Sequence, residues 1–360
     1  MHTSQKCDSR SAVADYIDFC CPECKGALSK RPNAYYCDAC DRKYPIQDGI
    51  GCFSDLATYH GEVPKPLMAT ILKDSERLGY KQAFQQHIQD PFIYKYVDDE
   101  SRSLWISIIP HDQESTFLDV GCGWGTNAAP ISQEVGAVVA LDATFERVKF
   151  VQIRCRQDKK FNVTPVLGSA IKLPLPDNSV DVVAFNGVLE WLGGIDMTKS
   201  PIQLQQQALR EARRVLKPGG HVYIGIENRF SLRYMLGDQD DHSFLRFTSL
   251  MPRAIANLYC RLRTGGPYFT YTHSLSEYHR LIRETGFSQV GSYFPWPDYR
   301  NPTAIVPLER GPVTEQLSNV ISGPVRPSFR QRVYLSLLKF LTACEGKGRL
   351  CHSFCFVARK

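Results

Sequence analysis

Ten residues, Thr116–Gly125 (TFLDVGCGWG), constrain the fold more than any other part of this 360-residue chain. Phe117, Leu118 and Val120 make a short apolar run of the kind that forms a buried parallel strand. The run stops at three alternate glycines, Gly121, Gly123 and Gly125. Positions without side chains let the backbone turn tightly and approach a ligand closely. A second run, Gly136–Leu141, ends in a carboxylate, Asp142. On a neighbouring parallel strand that acid lies beside the same crevice, where it suits a ribose diol, because a carboxylate accepts both hydroxyl hydrogens. The pattern predicts an α/β protein that binds a nucleoside.

The glycine spacing narrows the nucleoside. Dinucleotide folds use GxGxxG, whereas here the third glycine comes one residue early and Thr126 stands in its place. With Asp119 leading, the stretch resembles motif I (DxGxGxG) of the class I S-adenosylmethionine-dependent methyltransferases. Two later segments resemble that family in the same order. Leu167–Glu190 (LGSAIKLPLPDNSVDVVAFNGVLE) contains a loop, a turn at Pro176–Asn178 and a strand at Val180–Phe185. Ala208–Glu227 (ALREARRVLKPGGHVYIGIE) reads as a helix, an LKPGG turn and a fifth strand.

The resemblance implies a Rossmann-like, doubly wound sheet of seven strands and S-adenosylmethionine as cofactor. It also implies a cofactor site made by Asp119, Gly121, Cys122, Gly123 and Gly125, with Asp142 and Ala143 at the ribose. Ser169 and Ala170 then lie at the adenine, and Asn186 at the reacting edge after strand four. The family's usual acid before the small residue is replaced here by Ser169, which offers one hydrogen-bond acceptor and no charge.

A second signal lies near the start, CCPECKGALSKRPNAYYCDACDRKYPIQDGI. Cys21–Cys24 and Cys37–Cys40 are two CxxC turns, each able to aim two thiolates at one point, as a structural zinc requires. No thioredoxin-like βαβ pattern surrounds them, which disfavours a redox role. Cys7 and Cys20 stand outside the pairs, and Cys20 is an alternative to Cys21 as ligand. The segment resembles the Trm112-like zinc ribbon, whose second half reads Y-P-I-x-D-G-I as Tyr44–Ile50 does here.

Composition sets the remaining bounds. Apolar content of 43% and charged content of 22% are those of an ordinary soluble domain. No apolar run reaches membrane-span length, and the polar start (MHTSQKCDSRS) is unlike a secretory signal. The thirteen cysteines therefore read as reduced thiols in a cytoplasm. A net charge of +6 permits an anionic partner such as RNA without demanding one. The expected organisation is a zinc ribbon at 1–55, a linker and helices (Lys73–Gln89, Glu100–Ile109) at 56–112, and the catalytic domain at 113–360. Tyr94 and Tyr96 are candidates to cap the cofactor.

After the fifth strand the chain exceeds a minimal domain. A helix at Leu275–Glu284, capped by Thr285–Gly286, a strand at Phe287–Phe294 and a last strand at Cys351–Ala358 leave insertions at 229–273 and 295–350. These are the expected substrate-recognition elements. The first carries Asp238, Asp240, Asp241, His242 and the segment Pro267–His273 (PYFTYTH), whose aromatics suggest a platform for a sugar or base. His242 and His273 are candidate general bases, since histidine ordinarily titrates near ~6.5. Glu190 and Trp191, after strand four, are candidate pocket residues. The leading expectation is methyl transfer to a hydroxyl or amine of a small or saccharide-like substrate, in natural-product or surface-polysaccharide synthesis. Two other readings stay open: an RNA methyltransferase with a zinc-ribbon recognition domain, and a non-catalytic methyltransferase-like binding subunit.

Overall fold

Two compact units make up the chain: residues up to Asp98 together with His111–Val180, and Asp99–Pro110 together with Asp181–Lys360. The computed structural model describes residues 17–55, 59–196, 198–324, 327–346 and 348–360, so Cys7 and the start of the expected ribbon lie outside the described residues.

In the first unit the cysteine-rich segment forms β1 (Leu28–Arg31), β2 (Ala34–Cys37), β3 (Arg42–Gln47) and β4 (Ile50–Cys52), paired antiparallel in succession. Helices α1 (Lys65–Leu78), α2 (Tyr80–His87) and α3 (Pro91–Asp98) follow. The helix expected at Lys73–Gln89 is thus broken in two, because Gly79 between α1 and α2 adopts φ +94, outside helical backbone. Next come β5 (Thr116–Val120), α4 (Ala128–Ile131), β6 (Ala137–Asp142), α5 (Phe145–Gln157) and β7 (Val163–Leu167). β5, β6 and β7 are parallel, with Val120 opposite Leu141 and Asp142 opposite Leu167. This register brings the ends of three strands level, so that the glycine loop, Asp142 and Gly168 share one edge.

β4 adds to the same sheet, parallel to β7, with Gly51 opposite Val166 and Cys52 opposite Leu167. Ile50 and Cys52 bury with Val148 and Leu167, while Phe19, Tyr35, Tyr44 and Phe53 pack ring against ring. The ribbon expected as its own domain ending at residue 55 therefore lies inside the first unit. Its last strand satisfies its backbone groups on β7 rather than facing solvent as an open edge. Under α5, Trp124, Phe150 and Ile153 join Met68, Ile71, Tyr80 and Phe84 in one core.

The second unit contains β8 (Val180–Asn186), α6 (Pro201–Val215), β9 (Leu216–Glu227), α7 (Leu232–Met235), α8 (Arg253–Thr264) and α9 (Leu275–Glu284). It continues with β10 (Ser288–Trp296), β11 (Ala304–Pro307), α10 (Arg310–Ser322), α11 (Phe329–Glu345) and β12 (Ser353–Arg359). Its strand order is β8-β9-β12-β10-β11, with β12 antiparallel to both β9 and β10. α9 has the expected bounds, set by a capping box between Ser274 and Glu277. Two expectations change. LKPGG is the start of β9 rather than a separate turn, and Glu100–Ile108 is a 3-10 helix. Within the first unit β7, β6 and β5 form the parallel core expected of an α/β fold. Among the described residues no helix is long and apolar enough to cross a membrane.

Candidate functional site

The first unit builds a ligand edge from backbone. Gly121, Gly123 and Gly125 have φ of +71, +54 and +76, a left-handed series that residues with side chains rarely adopt. Gly121 and Cys122 both donate their N–H groups to Leu141 O, at 2.7 and 3.0 Å, which ties the loop to the end of β6. The side of Gly123 is nearly open: a Cβ built there would meet only the Tyr96 hydroxyl within 4 Å, at 3.9 Å.

Asp142 sits at the centre. Its Oδ2 accepts the Gly123 N–H at 3.0 Å and its Oδ1 accepts the Thr144 N–H at 2.9 Å. An ionised carboxylate oxygen has two acceptor sites, so each keeps one for a diol hydroxyl. Behind it, Arg147 lies 3.8 Å from Asp142 Oδ2 and 2.6 Å from Glu62 Oε2, which also accepts from the Trp124 indole at 2.9 Å. Burial alone would raise the Glu62 carboxyl, but Arg147 and Trp124 hold it below the ordinary range. The Asp142 carbonyl accepts from Gly168 N–H at 2.9 Å, which fixes the start of the Ser169–Ala170 loop. Asp119 is buried in β5, and Ala170 is buried as well. The first unit thus gathers every expected cofactor residue except Asn186, which is buried at the end of β8 in the second unit.

In the same unit Cys21, Cys24, Cys37 and Cys40 converge, their sulfur atoms all within 4.8 Å of one another. Cys21 and Cys40 are 3.6 Å apart and Cys24 and Cys37 3.4 Å apart. A tetrahedron of sulfurs about zinc has edges of about 3.8 Å, given Zn–S near ~2.3 Å, so the four thiols fit that ion. Cys20 is not among them; its N–H binds Pro174 O at 3.0 Å instead. All twelve described cysteines are free thiols.

The second unit holds a different cluster. Glu190, in the 3-10 turn Leu189–Gly194, Glu227, at the end of β9, and His242 offer side-chain atoms within 4.8 Å of one another. Glu190 is fully buried and Glu227 is 1% exposed, so both carboxyls are out of bulk water. Burial, with the neighbouring Glu227 adding to it, pushes the Glu190 carboxyl well above the usual range. Tyr299 donates its hydroxyl to Glu227 Oε1 at 2.8 Å; His242 Nε2 is 3.8 Å and Arg300 3.7 Å from the same oxygen. Asp240 Oδ1 accepts the backbone N–H groups of His242 and Ser243, at 3.0 and 2.8 Å, and thereby presents the His242 ring. The Trp191 ring meets that ring edge-on at 4.9 Å. Asp241 faces Arg233, Arg300 at 2.7 Å and His352 at 3.4 Å. Burial works against its charge, but His352, Arg300 and Arg233 hold it far below the ordinary value.

His273 is placed otherwise. It is 4% exposed, its Nε2 donates to Gln205 Oε1 at 2.7 Å, and burial lowers its pKa to about 4. The Gln205 amide donates to Leu189 O at 3.0 Å and Tyr271 O at 2.8 Å, and Tyr271 N–H donates to Glu190 O at 2.9 Å. His273 therefore braces the turn that carries Glu190. The aromatic platform expected at 267–273 is also partly structural: Tyr268 is buried and donates to Asp240 Oδ2 at 2.9 Å, because its hydroxyl completes the Asp240 brace.

Glu227, Arg147 and Arg300 were not expected at a site. Glu227 had a signal, a carboxylate closing a strand. The two arginines had none, since Glu62, which Arg147 meets, and Glu227 and Asp241, which Arg300 meets, are remote from them in sequence.

Residues 118–224 match the family described as methyltransferase domain. An uncharacterized 37.1 kDa protein in transposon TN4556 of Streptomyces fradiae is 36% identical over 127 residues, covering 34% of this chain and 33% of that protein. Phosphoethanolamine N-methyltransferase 1 of Triticum aestivum is 26% identical over 168 residues, covering 44% and 32%. Demethylmenaquinone methyltransferase of Listeria welshimeri is 33% identical over 111 residues, covering 30% and 43%. The chain spans less than half the length of each of these relatives.

Proposed function

Because residues 118–224 are a class I S-adenosylmethionine-dependent methyltransferase domain, we propose that this chain methylates a hydroxyl or amine of a small, saccharide-like molecule. Such a substrate belongs to natural-product or surface-polysaccharide synthesis. The observation that carries the reading is the left-handed glycine loop with Asp142 bonded to Gly123 N–H, a cradle with carboxylate acceptor sites left for a ribose.

S-adenosylmethionine supplies an electrophilic methyl group on a sulfonium. The protein's part is to hold partners in line and to remove a proton from the acceptor. Gly121–Gly125 and Asp142 bind and orient the nucleoside. His242 takes the acceptor's proton, and the nearby Glu227 carboxylate stabilises the resulting imidazolium. His273, through Gln205, positions Glu190 rather than exchanging protons itself. Cys21, Cys24, Cys37 and Cys40 hold one structural zinc, whose closed thiolate shell leaves no position for catalysis.

The test is transfer of a tritiated methyl group into cell extract divided into RNA, protein and small-molecule fractions. Label in the small-molecule fraction supports the reading. Label confined to RNA or protein overturns it.

A further inference from the structure

Among the described residues, three carboxyl oxygens of one cluster in the second unit stand without a donor. Glu190 Oε1, Glu190 Oε2 and Glu227 Oε2 are buried, and none has a hydrogen-bond partner among the described residues. Among the described residues Glu190 has no cation within salt-bridge distance, whereas Arg300 beside Glu227 is divided among Glu227, Asp241 and Asp298. Buried carboxylate oxygens without donors cost several kcal/mol when ionised, so a site of this kind is completed by a ligand that donates and carries positive charge.

We infer that the Glu190–Glu227–His242 cluster receives an ammonium group, and that the acceptor of the methyl group is this nitrogen rather than a hydroxyl oxygen. The inference rests on the methyltransferase reading and narrows it. An alkylammonium brings up to three N–H donors and a positive charge to buried carboxyls, while a hydroxyl brings one donor and no charge. The added charge answers Glu190, whose carboxyl burial and the neighbouring Glu227 push well above the usual range. A divalent metal fits less well. Arg300 already places a fixed positive charge 3.7 Å from Glu227 Oε1, and Tyr299 already donates to that oxygen. A single positive charge completes the cluster without that repulsion.

The chemistry balances. One N–H proton of the bound ammonium passes to His242 Nε2, leaving a neutral amine with a lone pair. That pair forms the new N–C bond to the methyl carbon as the C–S bond breaks, and the electron pair of the broken bond goes to sulfur. The products are a neutral thioether and a methylated ammonium, and His242 releases its proton to water as the product leaves.

The experiment uses the full chain, tritiated-methyl S-adenosylmethionine and a small-molecule extract of the source cells, separated on a cation exchanger at neutral pH. The expected result is label in the cation-retained fraction, in a product methylated on nitrogen. Glu190→Gln, which keeps shape and removes the charge, is expected to lower turnover at least tenfold while S-adenosylhomocysteine affinity stays within twofold. Label only in the neutral fraction, on oxygen, overturns the inference and leaves the methyltransferase reading intact. So does a Glu190→Gln protein as active as wild type, or a thermal shift of the protein with Mn²⁺ that Glu190→Gln abolishes. Absence of S-adenosylhomocysteine binding overturns the methyltransferase reading itself.

Discussion

Asp142 Oδ2 accepts the backbone N–H of Gly123 at 3.0 Å, so the carboxylate at the end of one strand is bonded to the loop that leaves its neighbour. This bond makes the nucleoside edge one unit. The loop cannot move without moving the acid, and both oxygens of Asp142 are pointed by N–H donors before any ligand arrives.

Asp142→Ala is therefore expected to weaken S-adenosylhomocysteine binding by roughly 1–3 kcal/mol, through lost charge-assisted hydrogen bonds and a loosened loop. Calorimetry measures it. Unchanged affinity would place the ribose elsewhere.

Gly125→Ala tests the loop backbone. Its φ is +76, and a Cβ there would lie 3.1 Å from Val151 Cγ2. Left-handed strain in a residue with a side chain costs on the order of 1–3 kcal/mol. Urea unfolding should show a loss of that size. Adding Val151→Ala should recover only the steric part, since the φ remains.

Metal analysis of the native chain should find about one zinc. Cys37→Ser should lose it and lower the melting temperature of the first unit, because β4 hydrogen-bonds to β7 and transmits disorder of the ribbon into the sheet. A metal-free native protein with unchanged stability would remove the zinc assignment.

His273 makes the protein sensitive to acid. Burial holds its pKa at about 4, below the ordinary ~6.5 of an unfolded histidine, so the unfolded chain binds this proton more readily. Its contribution is intact above ~6.5 and is lost as pH falls towards 4, by about 2 kcal/mol at pH 5. His273→Gln, which stays neutral, should lose less stability than wild type between pH 7 and pH 5 in urea titrations. Parallel curves would show that the imidazole titrates normally.

His242→Gln should lower turnover by roughly a hundredfold or more, the usual scale of general-base loss, with cofactor affinity nearly unchanged. The pH profile separates this role from a structural one: the limb reporting a base should vanish in the variant. A variant that keeps the wild-type profile would transfer the role to another group.

The geometry of the glycine-loop edge was legible because its signals are local. Gly121, Gly123 and Gly125 are spaced for a turn that only glycine makes easily, and Asp142 ends an apolar run whose period announces a strand. The CxxC pairs and the Ser274–Glu277 cap belong to the same class, since each motif is complete within a few residues. Where local pattern misled, at Lys73–Gln89, a single Gly79 conformation divided an otherwise periodic helix.

The sequence by itself determined a glycine loop and an acid on a parallel edge, and four thiols spaced to converge, because strand, turn and CxxC spacing are set by neighbouring residues. The tertiary structure decided which polar residues work together. Glu227 faces Glu190 and His242 only because β9 ends beside the turn after β8, and Asp241 finds Arg300 only because the second insertion returns to it. It also separated the two histidines, leaving His242 beside the carboxylates and burying His273 against Gln205. A side chain's charge and proton affinity depend on what surrounds it, and those surroundings come from segments far apart in the chain.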